Sequence, residues 1–118
     1  MADAGLVIGW NYAKTGREAQ AMELFASTMS YYQGQAKKGN IESFEPVLLH
    51  AHGGDLNGFI LIRGSQEQCD AFRNSDEFRA FLLQALYCLE GVGVIDAYLG
   101  DGLQRVMGEW STLISKQS

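Results

Sequence analysis

The chain reads as an α+β fold of order β-α-β-β-α-β closed by one further helix, and three observations predict it. Strand-like alternation and helix-like periodicity succeed one another in that order along the 118 residues. Turn residues fall where the period changes, at Gly16, Gly39-Asn40, Gly53-Gly54, Asn57-Gly58 and Gly91-Val92-Gly93. Ser65 with Gln68, and Ser75 following Asn74, carry the spacing of helix caps. Composition agrees: 47% apolar and 19% charged residues with one proline exclude a disordered tail, a collagen-like repeat and a multidomain enzyme. Residues 1–118 are therefore expected to form one domain.

Gly5 to Tyr12 alternates, with Leu6, Ile8, Trp10 and Tyr12 on one side, and is the first strand. Thr15 followed by Glu18 is a capping-box spacing, and Met22, Phe25, Met29, Tyr32 and Ala36 then form the stripe of a long amphipathic helix that ends at Gly39-Asn40. That stripe is read as facing the core. Ile41 to Ala51 is strand-like, but Pro46 removes a ladder donor and so predicts an edge strand. The glycine-rich turn makes a hairpin with Phe59 to Arg63. The next helix starts at Ser65, breaks near Asn74 and resumes at Ser75, with Phe78, Phe81, Leu82, Ala85 and Leu89 on its apolar face. A strand then runs through Leu99, and Asp101 opens a last helix carrying Leu103, Val106, Met107, Trp110, Leu113 and Ile114.

This order places two helices over one face of a four-stranded antiparallel sheet. Val47, Leu49, Ala51, Ile60, Ile62, Ile95, Ala97 and Leu99 are uniformly apolar and are assigned to the helix side. Leu48, His50, His52, Phe59, Leu61, Arg63, Val94, Asp96 and Tyr98 fall on the opposite side, joined by the large residues of the first strand. Soluble monomers seldom leave so broad a half-apolar surface in water, which predicts that a twin sheet covers it. The facing of the first strand depends on its register, because a slip of one residue exchanges its sides.

The net charge is -5, and the basic residues are scattered apart from Lys37 and Lys38, so no nucleic-acid partner is expected. The apolar runs are too short to cross a bilayer and the N-terminus lacks the pattern of a secretory signal; a soluble, cytoplasmic protein with no membrane partner is expected. Cys69 and Cys88 lack metal-type spacing and are read as reduced thiols packed on helices.

The candidate chemistry lies on the half-polar side. His50 and His52 occupy alternate strand positions and so share a face. A metal would need a further ligand, for which only Asp96 or Glu45 is available, and no metal is expected; histidines hydrogen-bonded at an edge or interface are the plainer alternative. Arg63 and Asp96 fall on the same parity and can neutralise one another as an interfacial salt bridge. The functional alternative is a cavity in which Arg63 holds an anionic group and His50 or His52 moves a proton. Trp10, Tyr12, Phe59 and Tyr98 would form its aromatic wall. The glycines around Gly91, Gly93, Gly100 and Gly102 do not make a phosphate cradle, because no third glycine opens a helix at the required spacing.

The segment from Ile62-Arg63-Gly64-Ser65 through Phe72 to Ser75-Asp76-Glu77-Phe78 resembles the strand, turn and broken helix of the dimeric α/β-barrel superfamily, which includes the antibiotic-biosynthesis-monooxygenase-like proteins. The resemblance spans Leu6 to Gly100 and implies a ferredoxin-like subunit that packs sheet against sheet with a twin, with cavities between sheet and helices or inside the barrel. The haem-degrading branch of that superfamily wants an asparagine on the first strand, a tryptophan on the third and a histidine on the second helix. Asn11 fits the first requirement and joins the ligand-contact candidates, but Ile62 and Leu82 stand at the other two, so no haem and no other cofactor is expected. The resulting expectation is a homodimeric small-molecule-binding or regulatory protein. A cofactor-independent monooxygenase or isomerase acting on a small aromatic or polyketide-like substrate is the alternative, and a purely structural oligomer is a third.

Overall fold

The computed structural model describes residues 2–117. Strands β1 (Ala4–Trp10), β2 (Ser43–Leu48), β3 (Gly58–Gly64) and β4 (Gly93–Tyr98) form one antiparallel sheet in the order β2-β3-β1-β4. Helices α1 (Glu18–Lys37), α2 (Gln66–Arg73) and α3 (Asp76–Cys88) cover one face, and α4 (Gly100–Lys116) follows β4. The predicted order therefore holds, and β2, carrying Pro46, lies at an edge.

Ser65 closes a full capping box on α2: its hydroxyl accepts from the Gln68 N–H at 3.1 Å, and the Gln68 side chain accepts from the Ser65 N–H at 2.8 Å. Ser75 starts α3 in the same manner, accepting from the Phe78 N–H at 3.2 Å, so the helix breaks at Asn74 as predicted. The other two starts differ from expectation. Arg17, not Thr15, is the N-cap of α1 and makes no side-chain cap bond, because Gly16 turns the chain with φ 86°. Helix α4 begins at Gly100, which leaves Asp101 inside the first turn.

The register corrects the predicted facing on three strands. Leu6, Ile8 and Trp10 point to the helices, opposite Ile62, Ile60 and Gly58, while Gly5, Val7 and Gly9 line the open face. Phe44, Pro46 and Leu48 of β2 pair with that same helix-side set, so Val47 looks outward. On β4, Val94, Asp96 and Tyr98 lie opposite Ile8, Leu6 and Ala4 on the helix side, and Ile95 and Ala97 on the other. Only β3 faces as predicted, with Ile60 and Ile62 inward and Phe59, Leu61 and Arg63 outward. The reason is physical: both faces carry large apolar residues, so alternation alone does not say which one the helices cover.

The core lies between sheet and helices. Leu6, Ile62, Ile41, Tyr32 and Cys69 are its most completely buried side chains, joined by Phe72 and Phe78. Aromatic rings stack through it, with Phe72 at 5.4 Å from Tyr32 and 5.0 Å from Phe78, and Tyr31 at 5.0 Å from Phe81. The last turn of α3 has no basic residue of its own. The β1–α1 loop supplies two: Lys14 Nζ donates to the Leu86 carbonyl at 2.8 Å, and Arg17 donates to that of Tyr87 at 2.7 Å while lying over its ring.

Candidate functional site

A cavity of about 410 Å³ opens between α1, α3 and the sheet end formed by Trp10, Leu48 and Asn57. Its walls are nearly all apolar. Ile8, Trp10 and Ile60 make the floor, and Phe25, Phe81 and Leu82 the sides. Trp10 and Phe25 meet edge to face at 6.2 Å. Small side chains, Ala21 and Thr28 on α1 and Ala85 on α3, leave the volume unfilled where larger ones would close it. At the mouth, Met22 is 76% and Leu48 69% exposed, so two large apolar side chains stand in water around the opening.

Four polar residues reach this lining: Glu18, Thr28, Tyr32 and Asn57. Burial, reinforced by the neighbouring Tyr31, pushes the Tyr32 phenol well above its ordinary range. It therefore remains a neutral hydroxyl, able to hydrogen-bond a guest but not to act as a base at neutral pH. Glu18, in the first turn of α1, is exposed and supplies the single carboxylate of the lining.

Of the residues expected to form a site, Trp10 alone lines this cavity. Asp96 and Arg63 lie on opposite faces of the sheet and do not pair with each other: Arg63 bonds Glu45 at 3.0 Å on the open face, and Asp96 bonds Arg73 at 2.8 Å below the end of α2. His50 and His52 fall beyond β2, in the loop before β3, and both are exposed. The Gly54 N–H donates to Nδ1 of His52 at 3.1 Å, so the proton sits on Nε2, which donates to the Leu56 carbonyl at 2.7 Å. Both ring nitrogens are thus engaged in bracing the loop. Tyr12 lies past the end of β1 and adds a bond from its hydroxyl to the Gly54 carbonyl at 3.3 Å. Asn11 packs against Gly91, whose φ of 61° and missing Cβ admit it. Phe59 is on the open face and Tyr98 at the exposed edge of the helix side. Among the described residues no three His, Cys, Asp or Glu side chains converge as a metal set.

A cavity between sheet and helices is what the resemblance implied, but its lining residues were not picked out, because those on α1 belong to the stripe read as core. That stripe packs tightly only in its second half, at Tyr32, whereas Met22 is exposed and Phe25, half-exposed, touches the sheet only at the edge of Trp10. The available signal was the run of small residues, Ala21, Thr28 and Ala85, on facing helices.

The second notable surface is the open face of the sheet. Val7, Val47, Phe59, Leu61, Ile95 and Ala97 cover it, and Ile95 is 61% exposed. The charges there are the mutually compensated Arg63 and Glu45. This face is more apolar than the half-polar one expected.

No family model matches the chain, and neither does any curated protein. Solved structures do. A dimeric protein of unknown function and ferredoxin-like fold from Bacteroides fragilis aligns over 81% of this chain and 96% of its own, with a TM-score of 0.60 at 12% identity. The fold is ferredoxin-like. A protein of unknown function from Nitrosomonas europaea aligns over 84% of this chain and 90% of its own, with a TM-score of 0.61 at 17% identity. The sheet order β2-β3-β1-β4 with helices on one side is the common ground of this ferredoxin-like chain and the architecture that the sequence resemblance implied.

Proposed function

We propose that this ferredoxin-like chain is a homodimer that binds one small, largely apolar organic molecule in the cavity of each protomer. The observation that carries ligand binding is the aromatic-walled space of about 410 Å³ with exposed apolar residues at its mouth. That volume is within the range of small-molecule sites, and a few polar groups among apolar walls are what such sites use to orient a guest. Tyr32, Thr28 and Asn57 are assigned that role, and Trp10 with Phe25 the stacking surface. The apolar open sheet face and the dimeric Bacteroides fragilis neighbour support pairing of sheet against sheet. Two buried, unbridged thiols at Cys69 and Cys88 support a cytoplasmic setting. The lining favours binding over turnover, because its ionisable members are an exposed carboxylate and a phenol held neutral.

Titration with 8-anilinonaphthalene-1-sulfonate tests it, followed by displacement with a library of small aromatic compounds. The expected result is saturable binding near one probe per chain, competed by library members and abolished by filling the cavity. Probe binding unchanged by a cavity-filling substitution would refute the assignment, and chemical conversion of a displacing compound would move the reading to an enzyme.

A further inference from the structure

We infer that α4 is an exchanged arm, packing its apolar stripe against the partner protomer of the dimer rather than against its own body; the inference rests on the dimer reading above.

Leu103, Met107, Trp110 and Leu113 recur at helical spacing along α4, and Trp110 is 59% exposed in the protomer. Gln104, Arg105, Glu109, Thr112 and Lys116 occupy the opposite side. A helix of 17 residues with so little packed against it is marginal on its own in water. Within the protomer α4 packs through its first turns, on β4 and on the backbone of Ala2 and Asp3, where Gly102 is buried and Val106 half-buried.

The direction of α4 is set at its root. Gly100 adopts φ 49° beside the Ala2 carbonyl, and Gly102 presses on the backbone of Asp3 so closely that a Cβ would overlap it. Leu99 is tied to the Asp3 carbonyl by its N–H at 3.2 Å. Swinging the helix back onto its own sheet would break this junction. Leu99 also lies over Gly5 on the open face, so the stripe of α4 continues the surface proposed to meet the twin.

Area argues for the same occupant. Strands about 4.8 Å apart with about 3.3 Å per residue give the open face of this sheet a projected area of roughly 400 Å². Standard interfaces bury about 800 Å² of accessible surface per partner, and although a side-chain-covered face carries more accessible area than its projection, a sheet this small sits at the low end of that range. A helix about 25 Å long and about 10 Å wide adds roughly 250 Å² per protomer. A second copy supplies both surfaces at once, because a two-fold interface uses the same patch twice.

The test uses the full chain. Trp10→Phe leaves Trp110 as the fluorescent reporter, and sedimentation at each concentration gives the oligomeric state. The expected result is a blue-shifted, quencher-protected Trp110 wherever the chain is dimeric, becoming red-shifted and quenchable on dilution to monomer. Trp110→Glu, at a position exposed in the protomer, is expected to weaken dimerisation about thirtyfold, the size of an interface tryptophan hot spot, with helix content retained. A dimer in which Trp110 remains fully quenchable would overturn the exchanged arm and leave the dimer standing. So would protection in the monomer, which would mean docking on the same chain, or protection gained only with anionic lipid vesicles. A chain that stays monomeric at all concentrations would remove both readings.

Discussion

Replacing Ala21 by tryptophan separates a true cavity from a core that has closed in solution. Ala21 lies on α1 and lines the opening. An indole carries about 200 Å² of surface. Burying half of it, about 100 Å² at about 25 cal/mol per Å², stabilises by about 2.5 kcal/mol. Lower helix propensity costs about 0.5 kcal/mol, and ordering the side chain about 1 kcal/mol. The net gain is about 1 kcal/mol, because a space of about 410 Å³ receives the ring without displacing its neighbours. With a slope of about 2 kcal/mol per M, the urea midpoint should rise by about 0.5 M. Chain concentration must be held fixed, since the proposed association would contribute to apparent stability. Saturable probe binding should be lost in the same variant. If α1 instead rests on the sheet with no space beneath, overpacking costs about 1–3 kcal/mol and the midpoint falls. A lower midpoint with probe binding intact would refute the cavity.

Two further outcomes follow from local chemistry. Ser65→Ala removes the hydroxyl half of a complete capping box and should destabilise by about 1 kcal/mol in urea unfolding, with loss of amide protection at Gln68. In alkali, burial pushes the Cys69 thiol up to about 11, with Asp70, Asp96 and Asp3 adding to the rise, and burial raises Tyr32 as well. A raised folded-state value means stability that is complete below the unfolded value and lost as pH climbs to the folded one. Urea midpoints should therefore fall from pH 9 to 11, and Cys69→Ala should flatten the early part of that fall; an identical profile in the variant would count against the assignment.

The placement of elements was legible because it depends on local signals. The Ser65 and Ser75 caps, the break at Asn74 and the edge position of the Pro46 strand all follow from backbone hydrogen bonds that a residue can or cannot make within a few positions of itself. The start of α1 was not legible in this way, since Gly16 diverts the chain before Thr15 can reach its partner. Side-chain facing failed on three strands for a different reason. Gly5 and Gly9 alternate with Leu6, Ile8 and Trp10, a size contrast that marks the larger set as core, yet apolar Val7 and Ile95 make the reverse side look equally fit for burial.

The sequence by itself determined that this protein would be a ferredoxin-like layer of helices on an antiparallel sheet, followed by a further amphipathic helix; it did not determine which side of three strands the helices cover. Tertiary structure alone decided which charges meet: Asp96 turns to Arg73 and Arg63 to Glu45, because two strands that are distant in sequence fix each other's register and thereby the side from which each carboxylate emerges. It likewise decided that the cavity lies beneath α1, where small residues on separate helices come to face one another. A cavity is the volume between elements, and no single stretch of chain encodes it.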